Sequence, residues 1–99
     1  MYTIVTKLTL SKPLDADLLR RMEREFFVQA KEVSSGFLGG QVVQMSDTNT
    51  VMLAFFASRE ALDEVSSKVA GPWFAANVRP YLAGPVERSV GEVVAHMGT

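Results

Sequence analysis

Seven consecutive apolar residues, Val51 to Ala57, constrain the fold of this chain more than any other feature. The run is too short to span a membrane, and its aromatic content favours a β-strand. Because side chains alternate across a strand, a run without polar positions requires cover on both faces of its sheet. The 99-residue chain offers about two helices, which cover one face. We therefore expect a second copy of the chain to cover the other face, in an obligate homodimer.

Composition limits the classes of protein to which the chain can belong. At 99 residues it is predicted to form one domain, residues 1–99. Ten basic residues are matched by eleven acidic ones, which argues against a nucleic-acid-binding surface. The absence of cysteine excludes disulfides and thiolate chemistry. No leader-like N-terminus and no membrane-length apolar run is found, so we expect a soluble, cytoplasmic protein without a membrane partner.

The first half of the chain alternates between strand and helix periodicity. Apolar residues at even positions in Tyr2–Leu10 predict a first strand. A stripe at helical spacing over Leu14–Val33 predicts a helix of about twenty residues that Gly36 ends. Strand spacing returns over Phe37–Met45, where Gly39-Gly40 predicts a bulge or a close approach of a ligand or another backbone.

The second half repeats this pattern with one addition. The apolar strand leads into a helix that Ser58 caps and Gly71-Pro72 is expected to stop. Trp73–Val78 is predicted to form a separate short helix. A last strand is expected over Val86–Ala95, with a register that depends on whether Gly91 forms a bulge. The order of elements predicts an α+β, ferredoxin-like βαββαβ fold with an antiparallel four-stranded sheet.

Three segments carry a resemblance to a known family. They are Ser35–Gly40 after the first helix, Phe55–Leu62 from the third strand into the next helix, and the aromatic pair Trp73-Phe74. With these segments the chain resembles, over nearly its whole length, the antibiotic-biosynthesis monooxygenase (ABM) domain family of the dimeric α+β barrel superfamily. The resemblance implies two sheets packed face to face across a homodimer, with a cleft between sheet and helices in each subunit. Some members oxidise quinols or anthrone-like polyketides there with dioxygen and without metal or flavin, and others degrade haem.

The chain departs from the haem-degrading branch at two places. That branch implies a histidine ligand on the helix of the second half and an asparagine in the first strand. This chain has no histidine in that helix and carries Lys7 in the strand. Many family members also have a tryptophan near the end of the third strand, where this chain has Phe56 or Ala57. We therefore expect no haem and no other cofactor, with dioxygen and a small aromatic molecule as the partners of the cleft.

The aromatic short helix and the last strand supply the candidate site. Trp73 and Asn77 are four residues apart, so they share a helix face that Tyr81 would extend. A cofactor-free oxygenase needs a substrate that is deprotonated in a dry pocket and then donates an electron to dioxygen. Asn77 would donate to the oxyanion, Arg88 would offset its charge, and Trp73 would stack on the ring. The predicted catalytic residues are Asn77, Arg88 and Tyr81, and the predicted substrate-binding residues are Trp73, Phe74, Phe26 and Phe55.

Two plainer interpretations stay open at this point. Aromatic residues at helical spacing usually pack in a core, an asparagine near a proline usually ends a helix, and an arginine on a strand is usually solvated. In a non-catalytic dimeric binding or interaction domain, Phe74, Val78 and Leu82 would fill the cleft. Phe27, next to the stripe residue Phe26, would either widen the packing face or line the cleft.

Metal binding and RNA binding are both disfavoured by the sequence. His96 is the only histidine, and no pair of carboxylates has a spacing that points to a metal site, so none is predicted. An RNA-recognition module shares the βαββαβ order. However, the third strand lacks the leading basic residue and glycine of its stacking strip, and the module has no place for the Trp73 helix.

Overall fold

The computed structural model describes residues 1–97, in which a four-stranded antiparallel sheet carries two long helices on one face. The strands are β1 (Tyr2–Thr9), β2 (Phe37–Gln44), β3 (Asn49–Phe56) and β4 (Glu87–Glu92). Their order across the sheet is β2-β3-β1-β4, so β1 and β3 are central and β2 and β4 are the edges. This arrangement confirms the predicted ferredoxin-like βαββαβ fold.

The first helix, α1, contains a wide π-helical turn between two α-helical segments. The segments are Ala16–Arg21, the π-helical Met22–Phe27, and Val28–Val33, and the residues at each junction keep right-handed helical dihedrals. An ideal α-helix has about 3.6 residues per turn, so positions four apart drift around its axis. A π turn holds more residues and reverses that drift. It therefore keeps on one face a set of buried residues spaced by four: Leu18, Met22, Phe26 and Ala30.

The second helix, α2, is built in the same way. Its segments are Arg59–Val65, the π-helical Ser66–Ala70, and Gly71–Asn77, followed by a short 3-10 turn, Arg79–Tyr81. Ser58 caps it, as expected, because its hydroxyl accepts a hydrogen bond from the backbone N–H of Ala61 at 3.1 Å. Beside the buried Leu62, a set of its buried residues again recurs every four positions: Ala61, Val65, Val69 and Trp73.

The prediction that Gly71-Pro72 stops this helix is wrong, as is the prediction of a separate short helix over Trp73–Val78. The backbone stays helical from Arg59 to Asn77. The N–H of Gly71 bonds to the carbonyl of Ser66, five residues back, so the hydrogen-bond pattern has already changed before the proline. Pro72 then occupies one of the first positions of the following α-helical segment, where a proline is tolerated.

A glycine shifts the strand pairing at the β2 edge of the sheet, whereas the glycine in the β4 edge strand does not. The pairing of β2 with β3 shifts between Phe37 and Gly39, and Gly39 has a φ of 137°, which confirms the predicted bulge. The pairing of β4 with β1 runs without a shift from Glu87 to Glu92, so Gly91 does not form a bulge. The even-numbered residues of β4, including Arg88, therefore face the helices together with the even-numbered residues of β1.

Apolar side chains pack between the helices and part of the sheet. Ile4 and Leu8 of β1, Phe37 of β2 and Phe56 of β3 are buried there against the two helical stripes. Aromatic rings meet at centroid distances of 5.5 Å for Phe26–Phe27, 5.7 Å for Phe26–Trp73, 6.1 Å for Phe27–Phe37 and 5.6 Å for Phe37–Phe56. The core thus connects both helices to β2 and β3 through one continuous set of aromatic contacts.

The opposite face of the sheet carries a partly exposed apolar row along β3. Val51, Leu53 and Phe55, the odd-numbered residues of the apolar strand, point to this face and are half-buried. Val43, directly opposite Val51 on β2, is 39% exposed. Among residues 1–97, no helix is both long and apolar enough to cross a membrane.

Candidate functional site

A cavity of about 440 Å³ lies between the sheet and the two helices. Its volume falls within the range of small-molecule sites in proteins. Most of its wall is apolar, with Ile4, Met52 and Ala54 contributed by the sheet and Phe26, Phe27 and Phe74 by the helices. These three sheet residues are even-numbered members of β1 and β3, so the period of two that builds the core also builds this part of the floor of the cavity. The cleft that a filled core would have closed is open.

Both π-helical turns contribute to the wall of the cavity. Phe26 and Phe27 come from the turn in α1, and Ser66 and Ala70 come from the turn in α2. Consecutive residues usually point away from each other on an α-helix, yet Phe26 and Phe27 both line the cavity. Single π turns are often found at functional sites. Their signal in the sequence is the four-residue spacing of both apolar stripes, which sequence analysis treated as ordinary helix.

The polar groups at the cavity are mostly hydroxyl and guanidinium groups. Arg88 of β4 lies opposite Thr6 of β1, and its Nη2 donates a hydrogen bond to the Ser66 hydroxyl oxygen at 3.2 Å. Arg79 also lines the cavity, and no aspartate, glutamate or histidine does so among the residues that the structure describes. The site therefore combines an apolar interior with positive charge, which favours a ligand that is aromatic and anionic.

Three of the residues predicted for the site line this cavity. Phe26 and Phe74 form part of its aromatic wall, and Arg88 carries one of its two positive charges. Thr6, Ser66 and Arg79 line it as well, and sequence analysis did not find them. Of these three, only Thr6 could have been indicated by the sequence. It and Arg88 are even-numbered residues of neighbouring strands, so they face the same side of the sheet.

Asn77 and Tyr81, predicted as catalytic, do not line the cavity and instead bond to the first half of the chain. The Asn77 side-chain oxygen accepts a hydrogen bond from Arg21, and its Nδ2 donates to the Trp73 carbonyl at 2.9 Å. The Tyr81 hydroxyl donates to Asp15 at 2.9 Å. This bond raises the pKa of Tyr81 above its ordinary value, because the phenol donates to a carboxylate. The structure thus places both residues in contacts between the end of α2 and α1.

Trp73 and Phe55, predicted to bind substrate, also lie away from the cavity. Trp73 continues the four-residue stripe of α2 and is only 8% exposed, packed edge-on against Phe26. Its indole Nε1 is buried without a hydrogen-bond partner among residues 1–97. Phe55 is an odd-numbered residue of β3, so it points to the opposite face of the sheet, and its neighbour Phe56 faces the cavity.

Comparison with known proteins identifies the fold but no close relative. No family model matches the sequence, and no curated protein is significantly similar to it. Among residues 1–97, no cluster of three or more histidine, aspartate or glutamate side chains could hold a metal ion. Identity with the similar solved structures that follow does not exceed 20%.

Solved structures with this fold include an oxygenase and a monooxygenase. SnoaB, described as a cofactor-independent oxygenase from Streptomyces nogalater, has a TM-score of 0.74 at 14% identity, over 99% of this chain and 97% of that one. The ActVA-Orf6 monooxygenase of Streptomyces coelicolor, in complex with nanaomycin D, has a TM-score of 0.71 at 20% identity, over 99% and 91%. A variant of MhuD with two manganese protoporphyrin IX molecules per active site has a TM-score of 0.62 at 20% identity, over all of both chains. The chain therefore has the fold of antibiotic-biosynthesis monooxygenases over nearly its whole length.

Proposed function

We propose that this chain is a cofactor-independent monooxygenase of a small quinol or polycyclic phenolic, anthrone-like substrate. The observation that carries the proposal is the cavity itself, whose wall of aromatic and aliphatic side chains ends at the Arg88–Ser66 pair. Similar structures of the same fold include a cofactor-independent oxygenase and a monooxygenase with bound nanaomycin D, which supports the same class of reaction.

In the proposed reaction, an anthrone-like substrate ionises in the cavity and dioxygen oxidises it. The methylene carbon of the substrate loses two hydrogens and gains one oxygen atom as a carbonyl, and the second oxygen atom leaves with those hydrogens as water. Arg88 and Arg79 would stabilise the substrate anion and so lower the pKa of its acidic group. Phe26, Phe27 and Phe74 would hold its rings and exclude water.

We also propose that the chain functions as a homodimer that covers the second face of its sheet. The apolar row Val51, Leu53 and Phe55 on this face, with Val43 beside it, extends over neighbouring strands. Such contiguous apolar surface is unusual on a monomer and is typical of interfaces. The cavity lies on the other face of the sheet, between the sheet and the helices, so this dimer would leave the proposed site accessible.

A non-catalytic domain that binds small aromatic anions is the alternative function. One observation favours it, because none of the described residues that line the cavity is a carboxylate or an imidazole that would take up the substrate proton. A catalyst built from these residues has to bind a substrate acidic enough to ionise with the help of the arginines alone. Binding without turnover needs no such acidity.

Oxygen uptake by the metal-stripped protein separates these two functions. Wild-type protein and Arg88→Gln would be compared on a panel of anthrones and quinols against the spontaneous rate. We expect wild-type turnover and a loss of at least about tenfold in the variant, since a charge-assisted hydrogen bond contributes roughly 1.5–3 kcal/mol. Arg59→Gln is the matched control, because Arg59 is exposed and paired with Asp63 away from the cavity. Ligand binding with no uptake above the spontaneous rate would favour the binding domain.

A further inference from the structure

A second pocket of about 360 Å³ lies beside the main cavity, and Phe27 separates the two. Leu19, Met22, Glu23 and Gly40 line the second pocket but not the cavity. Phe27 lines both spaces, together with Gln41 and Val42 of β2 beneath it. The Phe27 side chain is therefore the part of their common wall that a helix contributes.

Close contacts on several sides hold the Phe27 ring in this position. The ring lies so near Gly40 that a Cβ there would be 3.0 Å and 3.2 Å from its Cε1 and Cζ atoms. It stacks on Phe37 with an angle of 30° between the rings, and it meets Phe26 at 83°. The glycine thus makes room for the ring, and two other rings restrict its rotation.

Phe27 and Arg88 lie at opposite ends of the main cavity. Arg88 belongs to the edge strand β4, whereas Phe27 packs on Gly40 of the other edge strand, β2. Neighbouring strands are about 4.8 Å apart, so the two edges of a four-stranded sheet are separated by roughly 14 Å. A ligand held at its anionic end by Arg88 would extend across β1 and β3 and meet the Phe27 ring with its apolar end.

We propose that Phe27 determines the length of the ligand that the cavity accepts, and thereby selects short linear fused-ring aromatic anions over longer ones. The inference rests on the proposed function only in assuming that the cavity binds an aromatic anion. A ligand one ring too long would have to displace Phe27 from Phe26, Phe37 and Gly40. Replacement of Phe27 by a small residue would open the cavity into the second pocket and let the longer ligand extend along β2.

Equilibrium binding of a series of three carboxylates tests the role of Phe27. The probes are 2-naphthoate, anthracene-2-carboxylate and tetracene-2-carboxylate, with two, three and four fused rings, and binding would be measured with wild type, Phe27→Ala and Phe27→Leu. We expect wild type to bind the four-ring probe at least about tenfold more weakly than the best shorter probe. Phe27→Ala should improve the affinity for the four-ring probe relative to the two-ring probe by at least about tenfold, and Phe27→Leu should change it in the same direction by less. Leu19→Ala is the control, because Leu19 lines only the second pocket.

Three results would overturn the inference. One is a wild type that binds all three probes alike, and another is a folded Phe27→Ala or Phe27→Leu protein that keeps the wild-type ratio of the four-ring to the two-ring affinity. The third is a complete absence of binding, which would also remove the cavity as an aromatic site. Oxygen uptake distinguishes this inference from the proposed function. A ratio of affinities that changes in the Phe27 variants, without uptake, would reject the oxygenase alone, and uptake with an unchanged ratio would reject the role of Phe27 alone.

Discussion

The Nη2 atom of Arg88 donates a hydrogen bond to the Ser66 hydroxyl oxygen at 3.2 Å and so joins the last strand to the second helix at the cavity. Arg88 lies on an edge strand and is exposed, so its side chain would otherwise sample many rotamers. The bond to Ser66, at the start of a π-helical turn, holds the guanidinium against the cavity. Ser66 is therefore expected to act on a ligand through Arg88.

A double-mutant cycle tests this dependence of Ser66 on Arg88. Arg88→Gln should weaken the binding of anthracene-2-carboxylate by at least about tenfold, because it removes a charge-assisted contact worth roughly 1.5–3 kcal/mol. Ser66→Ala should weaken binding only a few-fold, since a neutral hydrogen bond contributes roughly 1 kcal/mol. In the Arg88→Gln background, Ser66→Ala should have almost no further effect. Calorimetric titration gives the four affinities, and additive losses would show that Ser66 acts independently.

A methyl group should destabilise the protein at Gly40 but not at Gly91. A Cβ at Gly40 would lie 2.9 Å from the Leu53 carbonyl oxygen and 3.0 Å from the Phe27 ring, whereas a Cβ at Gly91 would have no atom of residues 1–97 within 4 Å beyond its chain neighbours. We expect Gly40→Ala to lower the free energy of unfolding by about 1–3 kcal/mol, and Gly91→Ala to leave it unchanged within about 0.5 kcal/mol. Denaturant titration measures both values. Equal effects of the two substitutions would contradict the close approach at Gly40.

Strand periodicity predicted much of the fold, because it has few exceptions in this chain. The unbroken apolar run Val51–Ala57 correctly indicated a strand with apolar residues on both faces, and Gly39 forms the expected bulge. Proline rules failed at Gly71-Pro72, since they assume an α-helical hydrogen-bond pattern throughout. The π turn just before this pair changes that pattern. No residue type is specific for such a turn, so only the four-residue spacing of the stripe indicates it.

The same π turn explains which site residues the sequence found. Trp73 and Asn77, four residues apart, were expected to face the cleft together. In the structure a spacing of four follows the buried stripe of α2, to which Trp73 belongs. Phe74, one residue further round, reaches the cavity instead. Arg88 reaches the cavity because no bulge interrupts the pairing of β4 with β1. The period of two along the strand therefore places its side chain on the face that the helices cover. Tyr81 was extrapolated along a helix that ends at Asn77.

A charge on the exposed apolar face should prevent dimerisation. Light scattering at micromolar concentration should give about twice the chain mass of 10.9 kDa for wild type. Leu53→Glu should give a monomer, because it buries an unpaired carboxylate in the interface. Gln29→Glu, on the exposed surface of α1, is the control with the same new charge and should stay dimeric. A monomeric wild type would contradict the proposed assembly.

Asp15 should make the stability of the protein fall at acid pH. Its carboxylate accepts hydrogen bonds from the backbone N–H of Leu18 at 2.7 Å and from the Tyr81 hydroxyl, and these lower the pKa of Asp15 below its usual 3.8. A group whose pKa is lower in the folded state contributes stability above its unfolded pKa and loses it as the pH falls through the folded value.

Comparison of wild type with Asp15→Asn between about pH 5 and about pH 2 measures this contribution. Asparagine still caps the helix but does not titrate in this range, so the variant should lose less stability as the pH falls. Tyr81→Phe should keep most of the wild-type slope, because the Leu18 bond is the larger cause of the lowered pKa. Identical slopes for wild type and Asp15→Asn would show that this carboxylate does not contribute to the pH dependence of stability.

The neighbours Trp73 and Phe74 should separate folding stability from ligand binding. Trp73 is buried in the core, and its Nε1 has no hydrogen-bond partner in the described part of the chain. Trp73→Phe therefore breaks no hydrogen bond there and should cost about 1 kcal/mol of stability, while leaving ligand affinity within about twofold of wild type. Phe74 lines the cavity, so Phe74→Ala should weaken the binding of anthracene-2-carboxylate by about tenfold or more, through the loss of roughly 1.5–3 kcal/mol of apolar contact. Thermal unfolding and calorimetric titration of both variants measure the two quantities. If Trp73→Phe weakened binding as much as Phe74→Ala, the ligand would have to reach the core stripe of α2, and the cavity described above would not be its site.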